Sequence, residues 1–214
     1  MSGIMLNIAG GTYAPSAPTV IGQAFGGGYY AGQIGTSSVA THYLIVGPVA
    51  SAQSNLLWKN ASTVTTGSDS DIDGPQNTAD MVAHGNATVY PAAHFCNDLS
   101  TGGQTDWYMP AKNELEVCYF NLKPTTTSNQ TSSGINANAV PARASNYTAG
   151  TPAQTSATDF RSTGAEDFAT SSYWASTEFS AAYARCQSFN NGYQYYVGKT
   201  NSSINVRAIR RVAV

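Results

Sequence analysis

The chain has 214 residues, a formal net charge of −2 at pH 7 and only 10% charged residues. Its length allows a sizeable hydrophobic core, and it fits one domain with an appended arm better than two complete domains. The near-neutral charge excludes nucleic acid and anionic lipid as primary partners, because both are bound through concentrated positive charge.

The first twenty residues differ in composition from the rest of the chain. Residues 1–20 carry no charge and contain a Gly-Gly pair and two prolines, which predicts an arm for attachment or oligomerisation, and residues 21–214 then form the folded domain. The start lacks the Lys or Arg of a secretory signal peptide. No apolar run approaches the ~20 residues that cross a bilayer. We therefore expect synthesis in the cytoplasm and no membrane insertion.

The predicted domain opens with two strands. Residues 25–34 and 42–47 are rich in β-forming side chains, and residues 35–40 form the loop between them. The glycines at 26–28 do not predict a phosphate loop, because no Gly-Lys-Ser/Thr motif follows them. Residues 60–80 are predicted as a further loop.

One motif in this further loop suggests a metal. Asp69, Asp71 and Asp73 alternate and precede Gly74, which is the spacing of a calcium loop. The twelfth position is Asp80 where a bidentate Glu is usual, a proline follows the glycine, and no amphipathic helix precedes the motif. We therefore expect a structural turn and no metal or other cofactor, with calcium binding as the alternative.

Two helices are predicted where apolar residues recur every three to four positions. The first covers residues 91–99. The second begins at Pro110, because proline suits a first turn that lacks intrahelical NH partners, and it ends before Pro124.

The cysteines are three in number, Cys96, Cys118 and Cys186. Their spacing matches no metal motif. We expect buried thiols, with one disulfide as the alternative.

A long polar segment follows the second helix. Residues 121–158 contain thirteen Ser or Thr and no Asp or Glu. Loops of this length are uncommon in a compact domain and are usually functional or disordered. Charged and apolar residues return at 159–168, which predicts a short helix there.

The C-terminal segment contains a hairpin signal at Asn191-Gly192, since a type I′ turn needs positive φ at both central residues. A two-residue turn pairs Asn190 with Tyr193. Small residues opposite two tyrosines make a poor core and a good contact surface, so we predict that this face points outward and that Phe189 and Tyr196 point inward. Half-buried strand tyrosines are the alternative. The predicted outward face consists of Ser188, Asn190, Tyr193, Tyr195 and Val197.

Two motifs carry a family resemblance. The segments Tyr173-Trp-Ala-Ser-Thr-Glu178 and Val206-Arg-Ala-Ile-Arg210 resemble the C-terminal half of a C-type-lectin-like family, with Ala175 where Ser is usual. Its members include formylglycine-generating sulfatase modifiers, bacterial surface modules and phage receptor-binding tips such as the major tropism determinant. The resemblance implies an α+β fold with a mixed antiparallel sheet, two helices and long loops. It also implies that Trp107 and Met109 lie in the core and that the long loop borders the binding face.

Binding is a better interpretation than catalysis. The three histidines lie in separate segments, and the formylglycine-generating branch uses two cysteines in its C-terminal half, where this chain has only Cys186. We therefore expect no enzymatic activity. Tyrosine combined with Ser, Asn and Gly is typical of antibody loops, where rigid rings and adaptable hydrogen bonds form the contact surface.

These features together predict a phage tail fibre or tail-tip protein of the virion that recognises a host cell-surface receptor, either a glycan or a protein. Other tail proteins are expected partners, and the resemblance implies a homotrimer. A bacterial surface adhesin and a purely structural virion protein are the alternatives. The predicted contact set is completed by four neighbours of the outward face, Tyr183, Arg185, Ser202 and Ser203.

Overall fold

A computed structural model describes residues 17–214, so the predicted arm at 1–20 lies outside the described residues except for its last four positions. The described range contains nine strands, four α-helices and one short 3-10 helix, which confirms the predicted α+β class. The strands are β1 (Ala24–Phe25), β2 (Gly28–Thr36), β3 (Val39–Val46), β4 (Gln53–Asn55), β5 (Ser172–Glu178), β6 (Tyr183–Ser188), β7 (Gln194–Gly198), β8 (Asn205–Arg207) and β9 (Ile209–Ala213). The helices are α1 (Val49–Ala52), α2 (Gly74–His84), α3 (Pro91–Asn97) and α4 (Lys112–Leu122).

The first sheet joins the two ends of the domain. Its strand order is β1-β2-β3-β9, and all its pairs are antiparallel. The predicted loop between β2 and β3 is a two-residue turn, in which Ser37 and Ser38 have φ of 51° and 63°. Positive φ at both positions is what a type I′ turn requires. Pairing of Val46 with Ile209 then brings the last strand beside the early strands.

The second sheet lies between two apolar clusters. Its order is β4-β8-β5-β6-β7, with β5 and β8 parallel and β7 at the edge. Side chains alternate along a strand, so Trp174 enters a cluster with Trp58 and Trp107, while its neighbour Tyr173 enters a second cluster with Phe189. This sheet is the central layer of the domain.

Helix α2 corrects the prediction of a loop over residues 60–80. Asp73 caps its N-terminus by accepting a hydrogen bond from the Gln76 backbone NH at 3.4 Å. The helix buries Asn77 and Thr78, and the Asn77 amide donates to the Ser176 hydroxyl at 3.1 Å. A helix that buries polar residues lacks the apolar periodicity that predicts helices, which is why the sequence pattern missed it.

Two of the three acidic residues before Gly74, Asp71 and Asp73, have structural partners. Asp71 forms an ion pair with Lys112, and Asp73 lies 3.7 Å from the Arg211 guanidinium in addition to capping the helix. The turn predicted there is therefore the N-terminus of a helix. Among residues 17–214, no group of three or more His, Cys, Asp or Glu side chains is placed to hold a metal ion.

Of the other three predicted helices, two are present and one is not. Helices α3 and α4 are confirmed, with α4 starting at Lys112, and Trp107 and Met109 are buried as expected. The helix predicted within 159–168 is only a 3-10 turn at Thr158–Phe160, because the next residue, Arg161, takes an extended conformation with φ of −72° and ψ of 151°. No helix in the described part of the chain is long and apolar enough to span a membrane.

The three cysteines are free and buried, as predicted. Burial raises the pKa of the Cys186 thiol to about 12, and it also raises the pKa of Cys96 and Cys118. Neutral thiols at physiological pH behave as small apolar side chains. They therefore serve packing in this fold.

Residues of the two C-terminal motifs form hydrogen bonds and ion pairs with distant parts of the domain. The Trp174 indole NH donates to the Leu56 carbonyl at 2.9 Å. Glu178 accepts a hydrogen bond from the Thr65 backbone NH and forms an ion pair with the buried Lys199 ammonium at 3.1 Å. Arg207 is buried and pairs with Glu166 at 2.9 Å. These charges are paired and hydrogen-bonded, which is the condition under which burial is tolerated.

Candidate functional site

The hairpin of β6 and β7 has a different register from the predicted one. The Ser188 NH donates to the Tyr193 carbonyl at 2.9 Å, and Cys186 pairs with Tyr195. The turn therefore contains four residues, 189–192, and the predicted two-residue turn with Asn190 opposite Tyr193 is wrong.

Packing of Phe189 explains the longer turn. The Phe189 ring is fully buried and stacks on Phe168 with centroids 4.1 Å apart, and it meets the edges of Tyr119 and Tyr173. A two-residue turn would keep Phe189 in the strand ladder. The four-residue turn releases it into the core, and the gain from burying a phenylalanine outweighs the local turn preference.

Gly192 is the residue that permits this turn. Its φ is 76°, a conformation that favours glycine. A Cβ at this position would also collide with the rings of Tyr119 and Tyr147. The glycine therefore serves both the backbone conformation and the close approach of the turn to the core.

The strand residues of the hairpin fall on the same two faces as predicted, because the observed and predicted registers differ by an even number of residues. However, the face predicted to be outward is core along much of its length. Ala184 and Cys186 on this face are buried, and Tyr195 and Val197 pack against the cluster around Trp174. The predicted outward orientation is therefore wrong for Tyr195 and Val197, because both side chains pack against the core at the end of the hairpin away from the turn.

Only the turn end of this face is open. Tyr193 is 41% exposed and stacks on Tyr195 with centroids 5.2 Å apart and planes 6° apart. The Tyr195 hydroxyl lies 2.7 Å from the Ser172 hydroxyl, and burial raises the pKa of Tyr195. Ser188 is half-buried, and Asn190 is exposed. Tyr193 and Asn190 therefore remain available for contact.

The opposite face is open at the other end of the hairpin. Here Tyr183, Tyr196 and the preceding Phe179 are 43%, 46% and 43% exposed, so the inward orientation predicted for Tyr196 is wrong. We call the cluster that they form with Arg185 the aromatic platform. Its members are Phe179, Tyr183, Arg185 and Tyr196.

The side chains of the aromatic platform pack against one another within the chain itself. The Phe179 and Tyr196 rings stack with centroids 4.0 Å apart and planes 15° apart, and Tyr183 contacts Tyr196 edge-on at 5.4 Å. The Arg185 guanidinium lies 4.4 Å from the Phe179 centroid. Arg185 forms no ion pair with another residue of the described chain. Its charge is thus open to a partner.

The predicted contact residues divide between the two ends of the hairpin. Ser202 and Ser203 are exposed in the connection that leaves β7 at the platform end, beyond Gly198. Strand β7 is five residues long, so this end lies ~17 Å from the turn. The structure does not bring all predicted residues into one patch.

The long loop borders the turn end of the hairpin, as the resemblance implies. The Gln130 NH donates to the Asn191 carbonyl at 2.8 Å. The Gln194 NH donates to the Ser133 hydroxyl at 3.0 Å, and the Gln194 side-chain oxygen accepts from the Gly134 NH at 3.1 Å. The loop thus covers the opposite face near the turn and leaves the aromatic platform open.

Two mostly antiparallel sheets, flanking helices and long loops define an α+β domain of the C-type-lectin-like kind. The family model of the Lcl C-terminal domain matches residues 47–210, and the chain belongs to this family. The match supports the family expected from the sequence, while the individual Tyr-Trp motif is not tested by it. Curated proteins and solved structures gave no match to the chain.

Proposed function

We propose that this protein is the receptor-binding component of a phage tail, a tail fibre or tail tip, and that it contacts the host cell through the aromatic platform and the adjoining turn of the hairpin. Membership of the Lcl C-terminal domain family supports this role. The observation that carries the proposal is the exposure of three packed aromatic rings at the edge of the second sheet, beside an arginine that has no ion pair within residues 17–214.

The residue types of the aromatic platform suit a binding surface. Tyrosine and arginine are enriched among the residues that dominate binding energy at protein interfaces. The rings of Phe179, Tyr183 and Tyr196 already support one another, so little side-chain entropy is lost when a partner binds.

The same role implies where the protein acts and which partners it has. As a tail protein, the chain belongs to the virion, and its partners are the host receptor and other tail proteins. We propose that it acts without catalysis or cofactor, and that residues 1–20 serve attachment or a homotrimeric assembly. Both a glycan and a protein receptor are compatible with the aromatic platform, because aromatic faces and a guanidinium contact either.

Replacing Tyr196 by alanine is expected to weaken binding to host cells by about thirtyfold, which corresponds to ~2 kcal/mol for an anchor residue. The Tm should stay nearly unchanged, because the Tyr196 ring is exposed and its hydroxyl makes no hydrogen bond within residues 17–214. Tyr195→Ala is the matched comparison on the adjacent position. It should lower stability by roughly 2 kcal/mol, since Tyr195 packs on the core and contacts Ser172.

The measurement is saturation binding of fluorescently labelled protein to a panel of bacterial strains, with thermal melts of each variant. Val39→Ala, a 68% exposed residue of the first sheet, is the neutral control. Two results would contradict the proposal. One is unchanged binding of Tyr196→Ala to a strain that binds the parent protein saturably, and the other is the absence of saturable binding to every strain of the panel.

A further inference from the structure

Strand β7 forms an open edge of the second sheet. It stands last in the order β4-β8-β5-β6-β7 and is five residues long. Its sequence, Gln-Tyr-Tyr-Val-Gly, contains no charged residue and no proline. Proteins usually protect an edge with charged residues, proline or a very short strand, because unpaired backbone groups attract further strands. The edge of β7 carries none of these protections.

The strands at the other three ends of the two sheets are protected. Strands β1 and β4 have only two and three residues. Strand β9 carries Arg210 and Arg211. In the described sheets, β7 is therefore the only terminal strand with more than three residues and no charge, which indicates that its edge meets a partner.

The pairing with β6 determines which backbone groups of β7 face outward. The Ser188 NH donates to the Tyr193 carbonyl, so this pair is hydrogen-bonded. In an antiparallel ladder, hydrogen-bonded and non-hydrogen-bonded pairs alternate. In the observed register, Gln194, Tyr196 and Gly198 thus direct their NH and carbonyl groups away from β6.

Neighbouring segments occupy only the two ends of this row of groups. The Ser133 hydroxyl accepts from the Gln194 NH, and the Gly198 carbonyl accepts from the Asn201 NH, both at 3.0 Å. Between them, the Gln194 carbonyl, both backbone groups of Tyr196 and the Gly198 NH have no hydrogen-bond partner within residues 17–214. Two donors and two acceptors are therefore free in the arrangement that an added strand requires.

An added strand would place alternate side chains on the aromatic platform. Directly opposite residues of antiparallel strands share a face of the sheet, so a residue opposite Tyr196 lies beside the stacked rings of Tyr196 and Phe179. Gly198 has no side chain, and a Cβ there would meet no atom within 4 Å. The position opposite Gly198 therefore opens towards its cross-strand neighbour Tyr183 and its diagonal neighbour Arg185.

Arg185 indicates the charge of the partner. Its guanidinium forms no ion pair with another described residue, so an acidic side chain that reaches across Gly198 would complement it. A second copy of β7 would bring no such side chain, because residues 194–198 contain no Asp or Glu. Charge complementarity thus favours a different protein over pairing between two copies of β7.

We propose that β7 binds an extended segment of a protein receptor as an additional antiparallel strand, with an acidic residue opposite Gly198 and an aromatic residue opposite Tyr196. Main-chain hydrogen bonds supply affinity in this kind of recognition, and alternate side chains supply specificity. Antiparallel pairing is slightly more stable per residue than parallel pairing. This mode of binding rests on the receptor role proposed above, and it makes the receptor a protein.

The probe is the peptide Ser-Thr-Glu-Val-Tyr-Val-Thr-Ser. Its tyrosine can lie opposite Tyr196, which places its glutamate opposite Gly198. The peptide is titrated into the ¹⁵N-labelled protein and followed in ¹H–¹⁵N spectra. We expect saturable shifts of the Tyr196 and Gly198 amide signals, with a Kd on the order of 0.5 mM. Absence of such shifts at about 2.5 mM peptide overturns the proposal.

Two N-methylated peptides test the backbone pairing. Methylation of the tyrosine nitrogen removes the NH that donates to the Tyr196 carbonyl, and it should weaken binding at least tenfold. Methylation of the preceding valine is the matched control, because that NH points away from β7, and it should leave the Kd unchanged. Equal effects of the two methyl groups overturn strand addition, since the side chains of the two peptides are identical.

A peptide with lysine in place of glutamate tests the charge preference. It should bind about three- to fivefold more weakly than the glutamate peptide, which is the effect of an exposed ion pair, and the difference should shrink at high salt. In Arg185→Gln the two peptides should bind equally. Equal binding of both peptides to the parent protein overturns the acidic partner.

Three further outcomes identify what covers β7. A dimer in solution that the peptide dissociates would show that β7 pairs with a second copy, and it would overturn the receptor segment. Peptide binding by a protein that binds no strain supports the strand site and contradicts the receptor role, whereas cell binding without peptide binding contradicts the strand site alone. Proteinase K treatment of the cells should abolish binding, and loss of binding only after periodate treatment overturns a protein receptor.

Discussion

Replacing Phe189 by alanine is expected to lower the free energy of unfolding by ~3–5 kcal/mol, the cost of removing a fully buried aromatic side chain. The ring stacks on Phe168 and contacts Tyr119 and Tyr173, so its loss leaves a cavity among three other rings. It also removes the packing that sets the four-residue turn. Urea unfolding followed by tryptophan fluorescence measures the effect.

Tyr193→Ala is the matched control, because Tyr193 directly follows the same turn but is 41% exposed. It should cost less than about 1 kcal/mol, as surface substitutions usually do. If Phe189→Ala unfolded at the same urea concentration as the parent protein, Phe189 would not be core, and the four-residue turn would lose its physical reason.

Glu116→Ala is expected to destabilise the protein by ~3–5 kcal/mol, because it leaves the Arg143 charge without its buried partner. The Asn136 amide and the Tyr147 hydroxyl lose an acceptor at the same time. The loop should loosen more than the sheets. Hydrogen exchange should therefore rise most strongly over residues 129–151.

Asp98→Ala is the control for Glu116→Ala, since Asp98 is 63% exposed and lies 3.4 Å from His94 in a surface pair. Such pairs contribute at most about 1 kcal/mol. Equal losses of stability in the two variants, or unchanged exchange across the loop in Glu116→Ala, would show that the Glu116 cluster does not anchor the loop.

The spacing of apolar residues correctly predicted those helices whose apolar face is buried in the folded domain. Helices α3 and α4 show apolar residues on one face, and the structure buries that face. Helix α2 was missed because its inward side chains include Asn77 and Thr78, which are held by hydrogen bonds to β5 and to the segment before α4 rather than by apolar contact. A single sequence does not reveal such partners, since they come from distant segments.

In the hairpin, packing of the core overrides the local sequence preference for a two-residue turn. Asn191-Gly192 favours a two-residue turn, yet burial of Phe189 imposes a longer one. Conversely, Ser37 and Ser38 adopt the conformation of a type I′ turn without the usual Asn or Gly, because the long pairing of β2 and β3 imposes it. In both cases tertiary contacts decided the turn.

The candidate site was predicted only in part for a related reason. Tyr183 and Arg185 were predicted and belong to the aromatic platform, but Phe179 enters from outside the hairpin and Tyr196 lies on the face predicted to be buried. Alternation distinguishes two faces of a strand, and it does not say which parts of each face other segments cover. Here the core covers one end of one face, and the long loop covers the other end of the opposite face.

Photo-crosslinking from the aromatic platform on living cells tests the receptor-binding role most directly. Benzoylphenylalanine would replace Tyr183, which is 43% exposed, and in a second protein it would replace Val39, which is exposed on the first sheet. Both proteins are irradiated on a strain that binds the parent protein. We expect a covalent adduct with one cell-surface component from position 183 and none from position 39. Adducts from position 39 alone, or no adduct from position 183 on cells that bind the protein saturably, would contradict receptor binding through the aromatic platform.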